Sequence, residues 1–118
     1  VLMAELATLP ENRGKLEDGV NLVTHEMVVA LEKYIDETSE KFSPPEEFVI
    51  PGQNSLGAAL DMARTVVRRA ERSILKIQTG DSFAGPYLNR LSDLMWMLAR
   101  WQDKGSLSAR EVEENNEV

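Results

Sequence analysis

A chain of 118 residues, 42% of them hydrophobic, has room for one domain with a modest core. It has no cysteine and one histidine, which excludes disulfides, thiolate metal sites and a Cys/His nucleophile pair. Thirteen basic against twenty acidic residues give a net charge of −7, a poor balance for binding nucleic acid, where phosphate contacts dominate affinity.

No apolar run is long enough to cross a bilayer and no signal peptide is visible. The expectation is a cytoplasmic protein with neither membrane nor nucleic acid as partner. Val1 to Ala7 (VLMAELA) opens in mid-pattern, which predicts the last turns of a helix. It also predicts that an N-terminal part of the protein lies outside this chain. Pro10 and Gly14 mark a loop. Leu16, Val20, Val23, Met27, Leu31, Tyr34 and Ile35 keep helical spacing, so a helix is expected from Lys15 to Lys41, about 40 Å long at ~1.5 Å per residue. Gly19 weakens its first turns, and Pro44-Pro45 ends it.

Phe48-Val49-Ile50 is a short apolar run read as an extended connector, because no second strand is available to pair with it. Asn54 or Ser55 suits the N-cap of a central helix running to about Gln78. Its apolar stripe is Leu56, Ala59, Leu60, Ala63, Val66, Val67, Ala70, Ile74 and Ile77. Gly85-Pro86 starts a last helix, with Leu88, Leu91, Leu94, Met95, Leu98 and Trp101 on its apolar side and Lys104-Gly105 closing it. Long helices joined by short loops predict an all-α, antiparallel helix bundle over residues 1–105, followed by an acidic tail over 106–118.

The charge is unevenly placed. Between Asp61 and Lys76 lie five bases (Arg64, Arg68, Arg69, Arg72, Lys76) and two acids, a local +3 that leaves −10 for the remainder. A positive row on an acidic chain points to a local anionic ligand. On charge alone, a solvated face laced with ion pairs is the commoner origin of such a row. Arg64, Arg68 and Glu71 stack along one side of the helix. On the last helix Asn89, Ser92, Asp93, Trp96 and Arg100 share a side. The planar fork of Arg suits phosphate, Glu71 can orient an Arg or help to place a divalent cation, and Asn89 offers donors and acceptors to a ribose or base edge. The plain alternative pairs Arg64 or Arg68 with Asp93 or Asp61 between helices. His25, among Leu22, Val28 and Val29, is read as structural, and Phe48 alone would be read as a core anchor. There is no Walker-type or dinucleotide-binding glycine motif and no Glu-x-x-His.

Four segments together are more specific: AELATLPEN at 4–12, FVIPG at 48–52, ARTVVRRAER at 63–72 and YLNRLSDLMWMLAR at 87–100. In this order and spacing the chain resembles the PduO-type corrinoid adenosyltransferases. The resemblance implies a ferritin-like, four- to five-helix bundle assembled as a homotrimer, with active sites between subunits. It implies ATP, Mg²⁺ and cobalamin (a corrinoid) as reactants and cofactors. Cob(I)alamin attacks the 5′-carbon of ATP, giving adenosylcobalamin and triphosphate. By motif, Arg64 corresponds to an arginine whose intersubunit salt bridge shapes the site, and Phe48 to an aromatic that clears the lower axial ligand from cobalt. Arg68 corresponds to a triphosphate contact, and Glu71 and Asn89 to polar residues of the ATP site. The family's Gly- and Thr-rich phosphate-wrapping segment is not among these 118 residues, and Gln53-Asn54 stands where a Gly-rich continuation is more usual. A second reading is a non-catalytic helix bundle that binds a corrinoid or a partner protein.

Overall fold

The computed structural model of the chain describes residues 1–103. The expected tail, and the closure of the last helix at Lys104-Gly105, lie outside the described residues. Four α-helices form: α1 (Leu2–Ala7), α2 (His25–Ser39), α3 (Ser55–Ile74) and α4 (Ala84–Gln102), with a 3-10 helix at Pro10–Lys15. The described residues hold no strand, only an isolated bridge between Asp18 and Leu22. The helical bundle is therefore as expected. No helix among them is long and apolar enough to cross a membrane.

The expected helix from Lys15 is shorter than its apolar spacing implied. Pro10 opens the 3-10 helix instead, and Gly19 takes a left-handed φ of 75° that helical residues do not adopt. The turn is closed by Gly19 N–H donating to the Leu22 carbonyl at 2.9 Å and Glu17 N–H donating to Asn21 Oδ1 at 2.6 Å. Thr24 then caps α2, its hydroxyl oxygen accepting from Met27 N–H. Fifteen residues make α2 about 22 Å long.

The central element is α4, against which both α3 and α2 pack. Ile74, Ala84 and Leu88 form a buried cluster, joined by Leu2 and Leu6 of α1 and by Val67, Ala70 and Leu91. Each fully buried large aliphatic side chain contributes roughly 1.5–3 kcal/mol. The stripe expected on α3 is only partly buried. Leu56, Val66 and Ile77 are 54, 47 and 63% exposed. Val66 lies ~100° around the helix from the inward-facing Val67, and Ile77 lies beyond the last turn, which closes with its N–H on the Ile74 carbonyl.

Two polar ties set the ends of the bundle. Glu5 is buried, and its Oε2 accepts from the Ser82 hydroxyl at 2.8 Å, with the Ala84 N–H donating to Ser82 Oγ in turn. Arg13 stands 3.7 Å from the other Glu5 oxygen. At the opposite end Asn54 caps α3 by accepting from Gly57 N–H at 2.7 Å, while its Nδ2 donates to the Gln102 carbonyl at 2.5 Å. One side chain thus satisfies the start of α3 and the end of α4. Asn54→Ala removes both bonds, so the urea midpoint should fall at unchanged m, corresponding to about 1–3 kcal/mol. A midpoint equal to wild type contradicts this tie.

Candidate functional site

The connector after Pro44-Pro45 passes over the α3–α4 pair and leaves a cleft of about 810 Å³. Phe48 and Val49 form one wall, Asp61 and Arg64 of α3 another, and Trp96 and Arg100 of α4 the third. Phe48 is 91% exposed. A core anchor would be covered, so the plain reading of Phe48 does not hold. The ring stands open at the edge of the cleft.

Arg64 makes no ion pair with any described residue. It also borders a smaller cavity of about 400 Å³ shared with Ile35, Asp93, Trp96 and Met97. The interhelical pairs expected for it and for Arg68 are not formed. Asp93 is held by Arg90 of its own helix at 2.9 Å, and Asp61 is held by Arg100. The backbone register explains this: Arg90 and Asp93 are one turn apart on α4, and such neighbours meet without any interhelical reach.

Arg100 departs furthest from expectation. Read as part of a polar face, it is instead 3% exposed. Its Nη2 donates to Asp61 Oδ2 at 2.5 Å, and its Nε lies 3.0 Å from Asp103 Oδ2. That second contact is an ion pair whose N–H is not aimed at the oxygen, since neither atom finds a hydrogen-bond partner. The guanidinium also stacks 5.7 Å from the Trp96 ring centroid. Gly57 makes room for this cluster, because a Cβ there would meet Asp103 Oδ1 at 2.7 Å. The only sequence signal for the cluster is the three-residue step from Arg100 to Asp103.

A second polar group lies further along α3. Arg68 Nη1 donates to Glu71 Oε2 at 2.9 Å, and Asn89 Nδ2 donates to Glu71 Oε1 at 3.0 Å. Arg90 Nη2 donates to Asn89 Oδ1 at 2.5 Å, extending the chain to Asp93. Glu71 and Asn89 face a cavity of about 460 Å³ that Gln78 and Gly85 also line. The five residues singled out from sequence therefore fall into two groups. Phe48 and Arg64 share the large cleft, whereas Arg68, Glu71 and Asn89 form one hydrogen-bonded chain on α3 and α4. Arg64 and Arg68 are one turn apart, about 6 Å along the helix axis, so the groups adjoin. His25 has no part in either; its ring packs 5.5 Å from that of Phe83.

Residues 1–102 match the family described as Cobalamin adenosyltransferase. The chain belongs to that family. It is 38% identical over 106 residues to a corrinoid adenosyltransferase of Citrobacter freundii, covering 87% of this chain and 58% of that one. It is 39% identical over 77 residues to the corrinoid adenosyltransferase MMAB of Bos taurus, covering 63% of this chain and 32% of that one. Among solved structures, a variant PduO-type ATP:corrinoid adenosyltransferase from Lactobacillus reuteri, complexed with cobalamin and ATP, superposes with a TM-score of 0.72 at 26% identity. That match covers 86% of this chain and 57% of the other. The chain thus spans little more than half the length of the Citrobacter and Lactobacillus proteins.

Burial of Asp103 pushes its carboxyl above the ordinary 3.8 of an aspartate, Asp61 adds to the rise, and Arg100 opposes it. Between 3.8 and the raised value the folded protein keeps a proton that the unfolded chain has released. The stability contributed at Asp103 therefore falls as pH rises through that window. Unfolding free energies measured from pH 3 upward should move in favour of Asp103→Asn relative to wild type. A difference that does not vary with pH contradicts the assignment.

Proposed function

We propose that the chain carries the reaction centre of an ATP:corrinoid adenosyltransferase. The observation that carries the reading is the placement of an open aromatic, Phe48, and a free guanidinium, Arg64, in one cleft beside the Arg68–Glu71–Asn89 chain. A flat, largely apolar macrocycle suits the first group, and a polyphosphate with its ribose suits the second.

In this reading cob(I)alamin and ATP are the substrates. Cobalt attacks the 5′-carbon, a cobalt–carbon bond forms, and the carbon–oxygen bond breaks with its electron pair leaving on triphosphate. Negative charge thus grows on the leaving group. Arg68, its fork oriented by Glu71, lies where charge-assisted bonds to phosphate oxygens offset it. Asn89, fixed by Glu71 and Arg90, offers polar contact to the nucleotide. Phe48 covers the lower face of the corrinoid and keeps water and the nucleotide tail off the metal; cobalt without an axial donor is easier to reduce.

Mg²⁺ accompanies ATP in this reading, held by phosphate oxygens and water rather than by a protein cage. No described group of three or more His, Cys, Asp or Glu residues is placed to hold a metal ion. Both Glu71 oxygens are already engaged. The working protein is a cytoplasmic homotrimer, with Arg64 reaching an acidic group of a neighbouring subunit. An unpaired guanidinium at the edge of a cleft supports that role.

The direct assay follows adenosylcobalamin formation spectrophotometrically from reduced cobalamin, ATP and Mg²⁺. Product should accumulate only with all three. Corrinoid binding that ignores ATP, with no product, would favour the non-catalytic bundle. Arg68→Ala should lower kcat/KM for ATP by roughly 100-fold, while stability changes by no more than about 1 kcal/mol. Phe48→Ala should slow turnover from cob(II)alamin plus reductant much more than turnover from preformed cob(I)alamin. Equal slowing of both would remove the role given to the aromatic.

A further inference from the structure

Asp61 and Arg64 are three residues apart on α3, a spacing at which an acid and a base pair by default. They do not pair here. Asp61 is drawn across to α4, where the buried Arg100 holds it at 2.5 Å. Arg100 cannot turn to water, so it requires carboxylates within the protein. Asp103, on its far side, is equally buried and engages Nε, which leaves Nη2 directed at Asp61. Trp96 lies against the guanidinium. Asp61, Arg64, Trp96 and Arg100 all border the Phe48 cleft.

We infer that Arg100 is a positioning residue: by holding Asp61 on α4 it keeps the Arg64 guanidinium free of its own helix, open to the cleft and to the acidic group of a neighbouring subunit. The inference rests on the adenosyltransferase reading only for the work that Arg64 does; the competition for Asp61 stands without it. Among the described residues Arg100 meets Asp61, and Arg64 stands three residues from it on the same helix. The buried cation has the greater need of a carboxylate, because an uncompensated charge costs far more inside the protein than at the surface. Removing Arg100 reverses the choice. Asp61 then falls to Arg64, and the cation of the cleft is neutralised by its own helix.

The test uses R100M and D61N/R100M in two arms. Crystal structures report where the Asp61 carboxylate goes, and adenosyl transfer reports the consequence. In R100M, Asp61 should sit at salt-bridge distance from Arg64, and the rate should fall roughly 10- to 100-fold. In D61N/R100M the carboxylate three residues before Arg64 on α3 is gone, so most of the rate should return. A residue serving the fold alone gives a double variant no faster than R100M, and that result overturns the proposal. So does an R100M structure in which Asp61 stays clear of Arg64. Where R100M does not accumulate as folded protein, R100M/D103N leaves Asp61 as the one carboxylate of the cluster without its cation and is put through both arms. Should wild type transfer no adenosyl group, the functional reading fails, and the crystallographic arm alone decides this one.

Discussion

A buried guanidinium shared between two helices is the constraint on which the rest of this structure depends. Arg100 sits in α4, Asp61 in α3, and Asp103 just past the end of α4. Such a cluster is weak evidence for net stability, since desolvation offsets most of its Coulomb energy. Its consequence is geometric. It sets the rotation of α3 against α4 at the point where Gly57 allows close approach. With Asp61 turned to α4, the residues one and two turns further on are set in place. Arg64 borders the cleft and Arg68 meets Glu71.

Charge is distributed in the same way. The row of bases on α3 does not spread its partners evenly. Arg68 is engaged by Glu71 on its own helix, Arg100 by two carboxylates, and Arg64 by no described group. A cation paired through one nitrogen, as Arg68 is, is held in orientation and keeps its other donors. An unpaired one on an acidic chain keeps its field for an incoming anion or a neighbouring subunit. The connector buries Pro45 and Val49 in part and leaves Phe48 open.

Much of this was legible in the sequence, and the failures have physical causes. The central and last helices could be read because their signals are local: Asn54 as a cap, Pro86 in a first turn, and apolar residues at helical spacing. The second helix starts ten residues later than its periodicity implies, because periodicity alone does not register the left-handed Gly19 or the competing cap at Thr24. The apolar stripe of α3 was read too wide, because one packing neighbour covers only one face. Of the two bonds to Glu71, the one from Arg68 joins helical neighbours and is legible, whereas the one from Asn89 crosses between helices and is not. Burial of Arg100 is not legible, because a charged residue on a polar face looks solvated until α3 brings Asp61 against it. Phe48 alone reads as packing and its motif implies a place in the site; the ring is open, which single-residue reasoning does not show.

In the proposed adenosyltransferase the Phe48–Arg64 cleft receives a corrinoid by its lower face while nucleotide occupies the adjoining polar chain. Electron paramagnetic resonance of cob(II)alamin, recorded with the protein and with or without MgATP, tests it most directly. The account predicts that MgATP converts the spectrum to one without an axial donor on cobalt, and that Phe48→Ala restores the axial signature. A spectrum identical to that of free cob(II)alamin under all these conditions would contradict it.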